Sequence, residues 1–493
     1  MAVFRLPGPR MSSSHAPATD APWTILRAVY DDIDALCAIE RAAVELFRGH
    51  AAWPFYAAMS IPPDVIHEAI GKGLVWVARL ADHSPVGFVW LDAEEGGSTI
   101  GLAEIDVLPG HARQGIGSAL LEHACAWARS AGYHAVDLGT LSDVSWNGPF
   151  YAHHGFVPVD KNHPEFAFAL ERDRDNGFPD GLRVFMRREL APPGPGDWIS
   201  LPAPAKLNLF LRLTGRRPDG YHELQTVFRL LEWGDEVRLR VREDGRIERG
   251  TGAPGVNPEV DLVVRAARLL AEHSGCRLGA DIEVDKRIPM GGGLGGGSSD
   301  AATVLVGLNR LWNLSLGEDE LAALGLKLGA DVPVFVRGRS AWAAGVGERV
   351  RPIKLPQRWY VVVDPGEQVP TAVLFQAPEL TREAPEATIS AFVSGQVGEN
   401  AFEPVVRARY PRVAAALDWL SGFGRAQLSG SGACVFLETR TYDAALAVAR
   451  QVDPSMNAWV SAGLGRSPLR MTLERFDTPR RKPGHKSHKK KKH

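Results

Sequence analysis

Three compact α/β lobes are what the sequence predicts. The chain has 493 residues, and a soft prior of about 150 residues per domain gives roughly three. Between strand-like runs stands a glycine loop, Pro289-Met-Gly-Gly-Gly-Leu-Gly-Gly-Gly-Ser-Ser-Asp300, that leads straight into a helical pattern over 301–312. A second strand, glycine turn and amphipathic helix lies in the first two hundred residues, at 102–121.

The glycine loop is the most telling element. Six glycines flank one leucine. Glycine tolerates positive φ and has no Cβ, so the backbone N–H groups of such a loop can wrap an anion. The following helix points its positive end at the same place. Ser298, Ser299 and Asp300 are good N-cap residues, and Leu305, Leu308 and Leu311 share one face. A flexible linker would not lead at once into a capped amphipathic helix. The loop therefore reads as a nucleotide-phosphate site made by Pro289, Met290, Gly291, Gly292, Gly293, Leu294, Gly295, Gly296, Gly297, Ser298 and Ser299, although it lacks the Gly-Lys-Ser/Thr ending of a P-loop.

Partners stand on both sides. Upstream, the strand-like Pro202-Ala-Pro-Ala-Lys-Leu-Asn-Leu-Phe-Leu211 carries Lys206 and Asn208, and Arg217-Pro-Asp-Gly-Tyr-His-Glu-Leu224 follows it. Downstream come Gly329-Ala-Asp-Val-Pro-Val-Phe335 and Gln427-Leu-Ser-Gly-Ser-Gly-Ala-Cys-Val-Phe436. Asp331 is expected in a short turn between a helix ending near Gly329 and a strand over 332–336. Ser429 to Gly432 reads as a hairpin turn, a late glycine motif, or both, since 426–428 and 433–437 look like strands.

In this order, from about Trp198 to about Leu464, the four blocks resemble the GHMP-type small-molecule kinases, and within them the 4-diphosphocytidyl-2-C-methyl-D-erythritol kinases. The resemblance implies a two-lobed α+β fold and transfer of a phosphoryl group from ATP, with Mg²⁺, to the 2-hydroxyl of that alcohol. It makes Asp331 the catalytic base and Lys206 its cationic neighbour, roles that suit a reaction in which a hydroxyl must lose a proton while charge builds on phosphate. It assigns Tyr221, His222 and Phe375 to a cytosine pocket, and Asn208, Gly430 and Gly432 to the same substrate site. Taken singly, Lys206 could be a solvated strand lysine, Asp331 a turn former, and the three ring residues plain packing. A GHMP kinase for another alcohol, of homoserine or mevalonate type, is the alternative. No dedicated protein metal site is expected.

The earlier block, Leu102-Ala-Glu-Ile-Asp-Val-Leu-Pro-Gly-His-Ala-Arg-Gln-Gly-Ile-Gly-Ser-Ala-Leu-Leu121, together with Asn147-Gly-Pro-Phe-Tyr-Ala-His-His-Gly-Phe156, resembles the GNAT N-acetyltransferases. That resemblance implies a mixed central sheet flanked by helices. It implies acetyl-CoA binding by Val107, Gln114, Gly115, Gly117, Ser118 and Asn147, backbone N–H groups at a helix N-terminus again meeting phosphate. Glu104 falls where a catalytic base would stand and Tyr151 where a thiolate would be protonated; a sheet-edge carboxylate and a packing ring are the plain readings. Ala112 departs from the usual Arg or Gln at its place, and a non-catalytic GNAT module is the alternative. Nothing names the acetyl acceptor, and the acidic Asp92, Glu94 and Glu95 read as a solvated hairpin.

The expected organisation is a disordered 1–21, a GNAT domain over 22–190, a linker over 191–197, kinase lobes over 198–360 and 361–466, and a basic disordered tail over 479–493. The linker, Ala191-Pro-Pro-Gly-Pro-Gly-Asp197, is rich in proline and glycine and cannot be strand or helix. The tail beginning at Arg480 holds eight Lys/Arg and no acid. It lacks interleaved aromatics, so no specific nucleic-acid partner is expected. Cys37, Cys125, Cys276 and Cys434 form no CxxC pair, which suits a reducing cytoplasm. The first residues lack a signal-peptide core, and no stretch of about 18 apolar residues could span a membrane. The expected partners are small-molecule substrates, with the chain a monomer or homodimer.

Overall fold

The computed structural model describes residues 22–480 apart from 59, 95, 161–165, 180, 219 and 221. The segments 1–21 and 481–493, Glu95 and Tyr221 therefore lie outside the described residues.

The N-terminal unit is one mixed sheet of seven strands: β1 (Trp23–Arg27), β2 (Val75–Leu80), β3 (Pro85–Asp92), β4 (Thr99–Val107), β5 (Ala135–Leu141), β6 (Val157–Pro158) and β7 (Arg183–Glu189), in the order β1-β2-β3-β4-β5-β7-β6. Only β4 and β5 run parallel, and the helix Ile116–Ser130 supplies the crossover that a parallel pair needs. Alternation along β2 divides the core. Val75 and Val77 pack under the helices Ile33–Val44 and Pro63–Gly71. Trp76 and Ala78 pack on the other face, against Leu120, Leu121 and Ala124 of the crossover helix.

The C-terminal part is a ten-stranded sheet built around one long strand. It comprises β8 (Ile199–Arg216), β9 (His222–Arg242), β10 (Ile247–Arg249), β11 (Gly279–Asp285), β12 (Ala341–Ala344), β13 (Arg349–Pro352), β14 (Trp359–Asp364), β15 (Ala426–Leu428), β16 (Val435–Thr439) and β17 (Asn457–Leu464). β9 pairs with β8, β11, β12 and β17. One lobe packs the helices Leu262–Ser274, Gly296–Leu311, Glu318–Leu326 and Val332–Arg337 onto β8, β9 and β11. The other is built on β14 to β17 and the helices Glu403–Arg409 and Pro411–Ser421, and its sheet joins the first through Gly463↔Leu231 and Leu464↔Leu230.

Two local expectations are corrected. The helix after the glycine loop starts at Gly296, with Gly295 as N-cap at φ +75, so Ser298 and Ser299 lie inside its first turn and Asp300 just beyond it. Asp300 is drawn inward to an ion pair with Lys286 at 2.8 Å. Residues 332–336 are helix, not strand. All five are buried, so there was no alternation to read; Pro333 in the first turn and Gly338 at the left-handed C-cap are the helical signals that decide it.

The linker 191–197 is irregular, as its composition requires, yet it is held: Arg129 donates to the carbonyls of Ala191 (3.0 Å) and Pro192 (3.1 Å) and pairs with Asp197 at 2.6 Å. The units it joins pack directly on each other. Arg475 lies over the Tyr133 ring at 4.2 Å, His67 meets the Tyr442 hydroxyl at 3.0 Å, and Arg27 pairs with Glu236 at 2.6 Å.

Gly234 marks a close approach of β8 to β9, where a Cβ would lie 2.2 Å from the Ala203 carbonyl oxygen and 2.6 Å from the Pro204 Cα. Both obstacles are backbone. Gly234→Ala is expected to cost about 1–3 kcal/mol through overpacking, read as a lowered urea midpoint of the full chain; an unchanged midpoint would contradict the close packing of β8 on β9.

Candidate active site

β8 brings Lys206 and Asn208 side by side under the glycine loop, both almost fully buried. The Lys206 ammonium has three acceptors for its three donors: Asn208 Oδ1, the Gly293 carbonyl at 2.7 Å, and Asp331 Oδ2 at 3.5 Å. Burial pushes the Lys206 pKa down, and the Asp331 carboxylate pushes it back up. Asn208 is held in turn, donating to Thr226 Oγ1 at 2.9 Å, whose hydroxyl donates to the Phe210 carbonyl at 2.6 Å. Asp331 sits at the N-cap of Val332–Arg337 without spending its side chain on the cap. Its carboxylate is one-third exposed, at 33%, and faces the cavity.

The glycine loop and the late motif form one body. The N–H groups of Ala433 and Cys434 donate to Gly291 and Gly292 carbonyls, each at 3.1 Å, and Ser429 Oγ donates to the Gly293 carbonyl at 2.9 Å. A Cβ at Gly293 would stand 2.0 Å from the Ser429 carbonyl oxygen. Gly291, Gly293 and Gly295 all have φ between +73 and +75. Such a curl turns successive N–H groups toward one concavity, which fits a polyphosphate. Ser298 lines the cavity. Ser299 does not: it is fully buried, with its hydroxyl unpartnered. Leu294 packs in the core and Met290 is half exposed, so both serve the loop through their backbone.

A cavity of about 980 Å³ extends from Lys206 and Asp331 past Gly430 to His222 and Phe375. His222 stacks on Phe375 at 4.9 Å and 23°, and Phe402 meets the far side of Phe375 edge-on at 5.0 Å. The Phe375 face expected to carry the base is thus met by the imidazole. His222 Nε2 is buried and without a partner. Burial, then Arg382 and Arg216, lower the His222 pKa, leaving a neutral ring with one donor or acceptor to offer. Gly432 belongs to the turn itself, its N–H donating to the Ser429 carbonyl at 2.9 Å. Sequence reading missed Arg382, which donates to the carbonyls of Phe375, Ala377 and Leu380 and ties down the end of the helix Thr371–Phe375. An isolated arginine in a loop carries no motif that could have announced it.

In the N-terminal unit, β4 and β5 pair only from Thr99↔Ala135 to Gly101↔Asp137 and then part. Glu104 and Asp106 share one face of β4 beyond that point. Burial, then the nearby Glu40, raises the Glu104 pKa to about 7, and Asp106 is raised for the same reason and by Glu104. Tyr151, from the helix Asn147–His153, is part-buried near them, and desolvation followed by these two carboxylates keeps its hydroxyl protonated. Val107 ends β4. Arg113 (φ +60) and Gly115 (φ +83) shape the turn that carries Gln114 into the helix Ile116–Ser130. A Cβ on Gly117 would meet Phe150 and Val107 only at 3.8 Å, so no protein atom excludes an alanine there. Ser118 Oγ is engaged by His154 at 3.1 Å, and Asn147 opens its helix at the mouth of the site.

A lysine and a carboxylate at the open end of a glycine-wrapped helix, between two lobes of one sheet, define a GHMP-type phosphotransferase. The family described as GHMP kinases N terminal domain matches residues 261–339, GHMP kinases C terminal matches 387–457, and Acetyltransferase (GNAT) domain matches 71–158. Over 279 residues, 56% of this chain and 95% of the relative, the chain is 60% identical to the 4-diphosphocytidyl-2-C-methyl-D-erythritol kinase of Xanthomonas euvesicatoria pv. vesicatoria. It is 55% identical to that of Aromatoleum aromaticum over 269 residues, 55% of this chain and 94% of the relative. A crystal structure of 4-(cytidine 5'-diphospho)-2C-methyl-D-erythritol kinase superposes with TM-score 0.47 at 36% identity, covering 54% of this chain and all of that one. Through its C-terminal part the chain belongs to the 4-diphosphocytidyl-2-C-methyl-D-erythritol kinase family, and it carries a GNAT domain ahead of it.

Gly293→Ala puts a Cβ against backbone at a left-handed φ, so the loop must deform. The expected result is a KM for ATP raised about tenfold or more, since small misplacements of a positioning element are costly; steady-state kinetics with ATP varied checks it.

Proposed function

We infer that the C-terminal part transfers the γ-phosphoryl group of ATP to the 2-hydroxyl of 4-diphosphocytidyl-2-C-methyl-D-erythritol, and that the N-terminal domain transfers an acetyl group from acetyl-CoA to an amine. The observation that carries the first is the Lys206–Asp331 pair at 3.5 Å beside the glycine loop, supported by relatives of that name. Asp331 takes the hydroxyl proton as the oxygen attacks the γ-phosphorus; the bond to the β-phosphate oxygen breaks and ADP leaves. Lys206 neutralises charge as it spreads over the transferring group. The glycine loop holds the β- and γ-phosphates through backbone N–H groups. Among the described residues no cluster of three or more His, Cys, Asp or Glu could hold a metal. A Mg²⁺ ion bound with the nucleotide would neutralise charge on its phosphates.

At the diphosphocytidyl end, the His222 imidazole, stacked on Phe375 and with its Nε2 unpartnered, is the group available to a base. Its hydrogen-bonding nitrogen favours this alcohol over homoserine or mevalonate, which carry no base. Both reactions draw on cytoplasmic metabolites, the compartment we assign. No helix among the described residues is long and apolar enough to cross a membrane.

Asp331→Asn is expected to lower kcat by about 10²–10⁴-fold with the melting temperature and ATP binding nearly unchanged, whereas Lys206→Ala is expected to lower kcat by a similar factor and, because it strips the Gly293 carbonyl of its ammonium donor, to weaken ATP binding as well. Single-turnover assays of the full chain decide this, and near-normal turnover in either variant removes the assigned role.

For acetyl transfer, Glu104 accepts the amine proton as nitrogen attacks the thioester, and Tyr151 returns a proton to the departing thiolate. A base works only when ionised. With its pKa raised to about 7, Glu104 should give a kcat/KM that climbs as pH rises through about 7 and levels above it. Glu104→Gln should abolish that limb. Thiol release from acetyl-CoA in the presence of a panel of amines measures both, and a profile flat from pH 6 to 8 would rule Glu104 out.

A further inference from the structure

Asp235 and Glu236 are successive residues of β9, so their side chains leave opposite faces of the sheet. Both are buried, at 1% and 8% exposure. Asp235 looks into the kinase. It accepts from Lys286 Nζ and from the backbone N–H of Arg287 (2.5 Å) and Ile288 (2.7 Å). Lys286 then reaches Asp300, just past the first turn of the glycine-loop helix. Asp235 therefore fixes the three residues that lead directly into Pro289 and the phosphate loop.

Glu236 looks into the N-terminal domain. It accepts from Arg27 at 2.6 Å and from Trp127 Nε1 at 3.0 Å. Burial works to raise its pKa, and Arg27, Arg287, the Trp127 hydrogen bond and Arg238 outweigh that and lower it. Arg27 lies against the rings of Trp76 (4.9 Å) and Trp127 (5.6 Å) and also reaches Asp285 at 3.4 Å. Arg287 is pressed against the same domain: a Cβ on Gly73 would stand 2.3 Å from its Nη1. The approach to the phosphate loop thus runs between the kinase core on one side and a wall of the acetyltransferase domain on the other. The C-terminal part alone accounts for 95% of the Xanthomonas relative, so this wall is a feature that the fused chain adds.

We propose that Arg27 of the GNAT domain is a positioning residue for the kinase reaction: it pairs with Asp285 at 3.4 Å, which also meets Arg287 at 3.8 Å, and so holds the 286–288 segment, and with it the phosphate loop, in the geometry that accepts ATP. The proposal rests on the reading of residues 289–299 as the ATP cradle. It treats the N-terminal domain as part of the kinase's nucleotide site, beyond any acetylation it performs itself.

The test uses the full chain. Arg27→Ala is expected to raise the KM for ATP about tenfold while kcat and the KM for the alcohol stay within about twofold, the split expected when ground-state binding of one substrate is lost. Arg27→Lys should recover most of the loss. In the wild-type protein, adding ATP should slow amide hydrogen exchange in 23–28 and 70–74 as well as in 286–297, because coupling between two places is reciprocal. An unchanged KM for ATP in Arg27→Ala overturns the proposal. So does a uniform fall of all three kinetic constants, which would mean general damage, and so does wild-type exchange at 23–28 and 70–74 that ignores ATP. Should Arg27→Ala fail to fold, the lysine variant and the wild-type exchange still decide. Gly293→Ala separates the two levels. If it leaves the KM for ATP untouched, the ATP-cradle reading fails; if it raises that KM while Arg27→Ala does not, only the present proposal fails.

Discussion

Burying a carboxylate costs several kcal/mol unless donors meet its oxygens, and the way Asp235 meets that demand organises the molecule. Its donors come from Lys286 and from two consecutive backbone amides. Satisfying Asp235 therefore dictates where the chain leaves β11 and where the phosphate loop begins. β9 can offer this carboxylate only because Gly234, next to it, lets β8 pass at backbone contact. Lys286 is retained as an ammonium because the two carboxylates of Asp235 and Asp300 outweigh its burial. The N-terminal part of the glycine-loop helix is tied to the sheet through Lys286 and Asp300 before any nucleotide contributes.

The catalytic cleft is a second consequence of the same sheet. Lys206 on β8 contacts the Gly293 carbonyl, so the lysine that neutralises phosphate charge also braces the loop that holds phosphate. Ser429 braces the same carbonyl from the other lobe, and the backbone of 433–434 hydrogen-bonds the loop at Gly291 and Gly292. Two glycine motifs far apart in the chain are thereby one surface. Their glycines are required by contact as well as by φ: at Gly292 a Cβ would meet Cys434 Sγ at 2.6 Å, and at Gly295 the Phe335 ring at 2.9 Å. A loop this crowded on its protein side can present only backbone on its open side, which is what a phosphate binds.

How much of this was legible follows from the kind of signal each residue leaves. Glycine loops and short polar motifs are local, so Lys206, Asn208, the 289–297 run and Asp331 could be picked out, and the structure sets Lys206, Asn208, Gly291, Gly293, Gly295 and Asp331 around one cavity. The start of the helix was misplaced because Ser298 and Ser299 are good caps by type, whereas Gly295, with no side chain to read, takes the cap through its φ. Residues 332–336 were misread because a run buried on every side has no periodicity, and length and flanking Pro and Gly are then the only evidence. Lys286 and Arg27 left no trace, since the partners they work through lie 14 to 209 residues away; Arg382 left none because its acceptors, though only 2 to 7 residues away, are backbone carbonyls with no side-chain pattern to read. His222 was found, but its stacking on Phe375 depends on a helix and a strand meeting across the sheet, which no local pattern encodes.

The linker gives the sharpest contrast between composition and structure. Proline and glycine predicted an irregular segment, correctly, and independence of the two domains was the natural extension. Independence is decided by the interface, however, and this one contains a buried ion pair. Removing one partner of such a pair typically costs about 3–5 kcal/mol, whereas exposed pairs are worth little. The helix Ile116–Ser130 makes the geometry concrete: its N-terminus faces the proposed acetyl-CoA site, and near its other end Trp127 and Ser130 touch the kinase while Arg129 holds the linker. At 1.5 Å per residue its 15 residues place those ends about 20 Å apart. To carry a signal between them the helix would need a second packing arrangement. Its buried face runs from Ile116 through Leu120, Leu121, Ala124 and Cys125 to Ala128, so any such rearrangement would have to repack the core of the N-terminal sheet.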